Sequence, residues 1–176
     1  MADKSIIVIG AGDALGGAIA KRFAREGYAA VIVRRHADQL EDLAGAIRDA
    51  GGEVHPVGLD ARKEEDVVAL FQRVEAEIAP VEVCVFNIGA NVRFPIVETT
   101  ARVYFKVWEM AAFAGFLAGR EAARHMTPRG RGTILLPAPP PAYAAASGSR
   151  RSPAPSMPSA RWPKAWRANW APRVST

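Results

Sequence analysis

The chain has 176 residues, 49% of them hydrophobic, enough for one globular domain with a sizeable core and too apolar for a wholly disordered chain. The formal net charge of +5 is uneven: residues 1–136 hold 17 Lys and Arg against 18 Asp and Glu, whereas residues 137–176 hold six basic residues and no acid. The body is therefore nearly neutral, and any attraction for polyanions belongs to the tail alone.

The N-terminus MADKSIIVIG reaches glycine after four apolar residues, too short for the apolar stretch of a signal peptide. No run approaches the roughly 18 apolar residues of a membrane span. The single cysteine, Cys84, lies inside the apolar run VEVCVF, which gives it a buried structural role and fits a reducing compartment. These features predict a cytoplasmic protein.

In chain order, SIIVIG, AAVIV, EVHPVGL, VEVCVF and GTILL read as strands, each bounded by glycine, proline or charge. Between them, LGGAIAKRFAREG, ADQLEDLAGAIRDAGG, KEEDVVALFQRVEAEI and a long segment from Thr99 to Met126 carry helical periodicity. Gly27, the pair Gly51 and Gly52, and Pro80 stop the first three. Strands alternating with helices require right-handed crossovers and a parallel sheet covered on both faces. The expected fold is an α/β, doubly wound parallel sheet of the Rossmann type over residues 1–136. Trp108, within YFKVWEM, is expected in the helix core. His36, His55 and His125 are scattered and show no ligand spacing.

In VIGAGDALGGAIA a strand runs into a glycine-rich turn that opens a helix, the setting of a dinucleotide-binding fingerprint. Gly10 permits the tight turn, and Gly16 lets the backbone approach a pyrophosphate at the helix N-terminus. The cofactor-binding candidates of this loop are Gly10, Gly12, Ala14, Leu15 and Gly16. A purely structural glycine turn is the alternative. The second strand ends in VRRH, where Arg34 and Arg35 favour the 2′-phosphate of NADP over NAD, which remains possible, although Asp13 in the loop would repel that phosphate. Two exposed arginines at a strand end can equally be solvated surface.

Over residues 4–136 the chain resembles a short-chain dehydrogenase/reductase. The family's Gly-xxx-Gly-x-Gly loop falls on Gly10, Ala14 and Gly16, so alanine replaces the middle glycine, with Gly12 left to supply flexibility. The segment GLDAR resembles the one that places an Asp near the adenine ring, which implies that role for Asp60. The family's Asn-Asn-Ala-Gly turn appears as NIGA, carrying Asn87 and Gly89 into the cofactor-binding set. Asp60 could instead be a residue favoured at a helix N-terminus, and Asn87 a turn-former. The resemblance implies the strand order 3-2-1-4-5, truncated after about the fifth strand, and an oxidoreductase moving hydride between NADP(H) or NAD(H) and a small carbonyl or alcohol substrate, with homo-oligomers among full-length members.

The catalytic set of that family, a Ser and a Tyr-xxx-Lys pair, usually with an Asn on the long helix, has no counterpart here. Ala111 falls at the Asn position, the strand GTILL runs into PAPPPAYAAASGS, and Tyr143 is followed four residues later by Ser147. No catalytic residue is assigned. From Pro137 the alternation of strands and helices ceases, and residues 137–176 hold nine of the thirteen prolines and three of the four tryptophans. That composition is expected of a GC-rich gene read out of frame. Trp and Met each have one codon, so the loss of one upstream base can be tested on the protein: Trp162 before Pro163 restores to alanine, Asn169 before Trp170 to leucine, and Trp170 before Ala171 to glycine.

A permitted restoration across RWPKAWRANW is LAQSLAREL followed by glycine, similar to the family helix after the catalytic lysine, and Ser156 can restore to that lysine. Ser152, four residues earlier, cannot restore to tyrosine. The tail is thus expected to be a displaced reading frame, disordered, in a chain that is inactive. Two alternatives remain open: a non-catalytic dinucleotide-binding protein, and a basic, tryptophan-rich tail that binds nucleic acid or membrane. Neither a membrane nor nucleic acid is the favoured partner.

Overall fold

The computed structural model describes residues 2–12, 14–89 and 95–136. Asp13 and the tail of residues 137–176, including Tyr143, Ser147, Ser152, Ser156 and the tryptophan-rich stretch, lie outside the described residues.

Five strands form one parallel sheet: β1 (Ser5–Ile9), β2 (Ala29–Arg34), β3 (Val54–Gly58), β4 (Val81–Phe86) and β5 (Thr133–Leu135), in the order β3-β2-β1-β4-β5. This is the expected doubly wound α/β fold, with β1 in the centre. Ile7 faces Val31 on one side and Cys84 on the other. Side chains alternate along each strand, so the sheet feeds two cores. On one face Ile7, Ile9, Val31, Val33, Cys84 and Phe86 pack on α3 (Glu64–Glu77) and α5 (Ala114–Met126). On the other, Ile6, Val8, Ala30, Ile32, Val83 and Val85 pack on α1 (Leu15–Arg25) and α2 (Glu41–Asp49). Burial on both faces accounts for the near-continuous apolar runs of β1, β2 and β4.

The helices follow the spacing of their apolar residues. In α3, Val67, Leu70, Phe71 and Val74 recur on one face and are all buried. Pro56 is accommodated because β3 is an edge strand, where a missing N–H leaves no gap in the ladder. Cys84 is buried as expected, and burial pushes its thiol up to about 12. No helix among the described residues is long and apolar enough to cross a membrane.

The structure departs from the sequence expectation in the long helix. Thr100 caps α4 (Ala101–Trp108), its hydroxyl accepting from the Val103 N–H at 3.3 Å. A π-helical turn at Glu109–Phe113 then separates α4 from α5. The extra residue rotates the faces, and Trp108 is not core: 42% of it is exposed. Its ring lies 5.6 Å from Phe105 and 5.7 Å from Phe113, and Phe113 lies 6.5 Å from Phe116. The start of the second predicted helix is a 3-10 turn, Ala37–Leu40, leading into α2.

Candidate functional site

The turn after β1 is held against the ends of two neighbouring strands. Gly10 and Ala11 donate backbone N–H bonds to the Val33 carbonyl at 2.9 and 3.2 Å, while Asn87 N–H reaches the Ile9 carbonyl at 2.7 Å. Gly10 has φ +90°, and a Cβ there would stand 2.8 Å from the Asn87 carbonyl group. Both conformation and space therefore demand glycine. The Asn87 side chain closes the arrangement by donating from Nδ2 to the Gly10 carbonyl at 3.2 Å, so Asn87 is more than a turn-former.

The remaining loop candidates have different parts. A Cβ on Gly16 would stand 2.5 Å from the Gly10 carbonyl oxygen, so this position lets α1 press onto the loop within the protein itself. Ala14, alanine where the family has glycine, is the N-cap of α1 at φ −94° and ψ −126°. Ala14 has no polar side chain to cap the helix, and the first turn of α1 carries no acidic residue, which leaves that N-terminus suited to an anion. Gly12 borders open space, and Leu15 is exposed.

A cavity of about 270 Å³ opens over the carboxyl ends of β1, β2, β3 and β4. Gly10, Arg34, Arg35, Asp60 and Gly89 line it together, whereas Gly12, Ala14, Leu15 and Gly16 lie outside its wall and Asn87 acts from behind it through Gly10. The strand order reverses between β1 and β4, and in open α/β sheets ligands sit at such a switch point.

Asp60 does not belong to the first turn of α3, which starts at Glu64 behind Lys63. Its carboxylate accepts from the Arg62 backbone N–H at 3.1 Å and from the Arg62 guanidinium, with Nε at 2.9 and 3.1 Å from its two oxygens. The Arg62 hydrogen bonds hold the Asp60 pKa at about 2, with a further contribution from the Arg35 charge.

Sequence reasoning missed Arg62, which lines the cavity two residues beyond Asp60 in the same GLDAR segment. It also missed Met110, which the π-helical turn brings to the cavity wall. Ala111, where the resemblance implies an asparagine, lies in the same turn and carries no polar side chain. The donor set, three guanidiniums with one carboxylate beside an uncapped helix N-terminus, fits a ligand that combines phosphate with a hydrogen-bonding base.

The short chain dehydrogenase family model matches residues 4–136. A cis-4-hydroxycyclohexanecarboxylate dehydrogenase of Sinomonas cyclohexanicum is 35% identical over 135 residues, covering 76% of this chain and 54% of that protein. The crystal structure of a short-chain dehydrogenase from Rhodopseudomonas palustris is 49% identical with a TM-score of 0.73, covering 76% of this chain and 63% of that one. A variant of an actinorhodin polyketide ketoreductase, solved with NADPH, is 27% identical with a TM-score of 0.71, covering 76% and 53%. The chain spans about half the length of the curated relatives it matches.

Proposed function

The chain belongs to the short-chain dehydrogenase family of oxidoreductases, and from that membership we propose that residues 1–136 bind a nicotinamide dinucleotide beside Gly10, with NADP(H) preferred over NAD(H). The observation that carries the preference is the joint lining of one cavity by Gly10, Asp60, Arg34 and Arg35. In this reading Arg34 and Arg35 receive the ribose 2′-phosphate, Asp60 accepts from the adenine amino group, and the N-terminus of α1 faces the pyrophosphate. When bound, the dinucleotide would supply or accept hydride for a small carbonyl or alcohol substrate. A cytoplasmic location and, for a full-length protein of this family, a homo-oligomer belong to the same proposal.

The chain in hand is proposed to bind without turnover. That chemistry needs a proton donor whose pKa is lowered by a neighbouring cation, and no tyrosine in the sequence is followed four residues later by lysine. The family match ends at residue 136, where the composition changes, which supports a displaced reading frame beyond it. Sequencing the coding DNA from codon 125 past the stop, in independent isolates, tests the frame: one missing base in this copy alone supports it. The same frame in every copy removes it.

Calorimetric titration with NADPH and NADH tests the binding site. Tighter binding of NADPH, lost in the Arg34→Ala/Arg35→Ala variant, is expected; equal affinity for the two would sink the cofactor preference. A carbonyl and alcohol panel should give no turnover with this chain. Restoring the frame then separates a dehydrogenase from a binding protein without chemistry, and Ser152, which cannot restore to tyrosine, favours the latter. A nucleic-acid or membrane role for the tail requires salt-dependent retention that disappears when residues 137–176 are deleted.

A further inference from the structure

We propose that Arg62 is a specificity-determining residue of the nucleotide cavity: by clamping Asp60 it withholds that carboxylate from Arg35 and leaves the charges of Arg34, whose guanidinium reaches the Gln39 carbonyl at 3.4 Å, and Arg35 to a ribose 2′-phosphate. The inference rests on the dinucleotide reading above. Arg34, Arg35 and Arg62 line the cavity with one carboxylate, Asp60. An unclamped carboxylate among arginines would pair with one of them and repel a phosphate.

The geometry prevents this. Arg62 Nε lies 2.9 and 3.1 Å from the two Asp60 oxygens, Nη2 also contacts Oδ2, and the Arg62 backbone N–H donates to Oδ1. Both oxygens are therefore engaged by one residue. Arg62 is fixed in turn from the side of the long helix: Glu109 Oε2 lies 3.6 Å from its Nη1, and Lys106 Nζ sits 2.9 Å from the same oxygen. Arg35 lines the same cavity as Asp60, which makes it the partner that Asp60 would take up once Arg62 is removed. In the clamped arrangement Asp60 stays ionised and oriented, while the guanidiniums of Arg34 and Arg35 keep their charge for the ligand.

The test is isothermal titration of the full chain with 2′,5′-ADP and with 5′-AMP, whose affinity ratio isolates the 2′-phosphate. Arg62→Gln is expected to lower that ratio about tenfold, and Arg62→Lys, which cannot fork across both oxygens, about threefold. Adding Asp60→Asn to Arg62→Gln should return the ratio to within about threefold of its starting value, because the competing carboxylate is gone. An unchanged ratio in both single variants, or no recovery in the double variant, overturns the role of Arg62 while leaving the binding site in place. If the unsubstituted chain binds neither nucleotide, the dinucleotide reading falls and this inference with it.

Discussion

Gly10 and Asp60 make the sharpest demands on single residues. An alanine at Gly10 would have to hold φ +90° and keep its Cβ off the Asn87 carbonyl, so Gly10→Ala should cost about 2 kcal/mol or more of stability, read by urea unfolding. It should also weaken nucleotide binding. Gly12→Ala meets open space and should cost far less. Asp60 is depressed from its ordinary 3.8 to about 2, so the unfolded chain takes up the proton first. Its contribution to stability is fully present above 3.8 and is lost as the pH falls towards about 2. Asp60→Asn should therefore flatten the dependence of the thermal midpoint on pH in that window. An unaltered slope would mean that Asp60 does not hold the depressed pKa. Gly10, Arg34, Arg35, Asp60 and Gly89 meet on one cavity wall, as the strand-end patterns of the first three and the likeness of GLDAR and NIGA to family segments led one to expect. Arg62 was not legible in the sequence, since its role depends on the orientation of a side chain towards Asp60 and on Glu109, which is remote in sequence.

The inner strands β1, β2 and β4 were legible as elements because double-sided burial leaves a run of apolar residues. The π-helical turn was not. One extra residue leaves hydrophobic spacing on either side intact, so the segment from Thr99 to Met126 reads as one helix although Trp108 has turned outward. The junction of α3 with β4 depends on another unadvertised contact. Arg129 donates to both Glu75 oxygens at 2.8 to 3.0 Å and to the Val81 carbonyl at 2.7 Å, and Glu75 accepts the Val81 N–H. Arg129→Met should cost about 2–3 kcal/mol by denaturant titration, because it strands a partly buried carboxylate. Arg73→Met, which breaks an exposed pair with Glu77, should cost under about 0.5 kcal/mol. Equal losses would show that the Arg129 contact contributes no more than a surface pair.

At the scale of the molecule, β5 is an edge of the sheet among the described residues, and its last residue, Leu135, and the adjoining Leu136 are about half exposed. The exposed rings of Tyr104, Phe105, Trp108 and Phe116 add an apolar face on the long helix. An open edge with apolar surface promotes association, so the purified chain should self-associate in sedimentation velocity, and Phe105→Glu/Phe116→Glu should reduce it. A monodisperse monomer with a sharp thermal transition would refute this. Cys84 gives the same molecule an internal clock. As the sole sulfhydryl, sealed in β4 and protonated at ordinary pH, it has neither access nor thiolate with which to meet an alkylating reagent. Each labelling event must therefore wait for the centre of the sheet to part, and the incorporation rate counts those openings one molecule at a time.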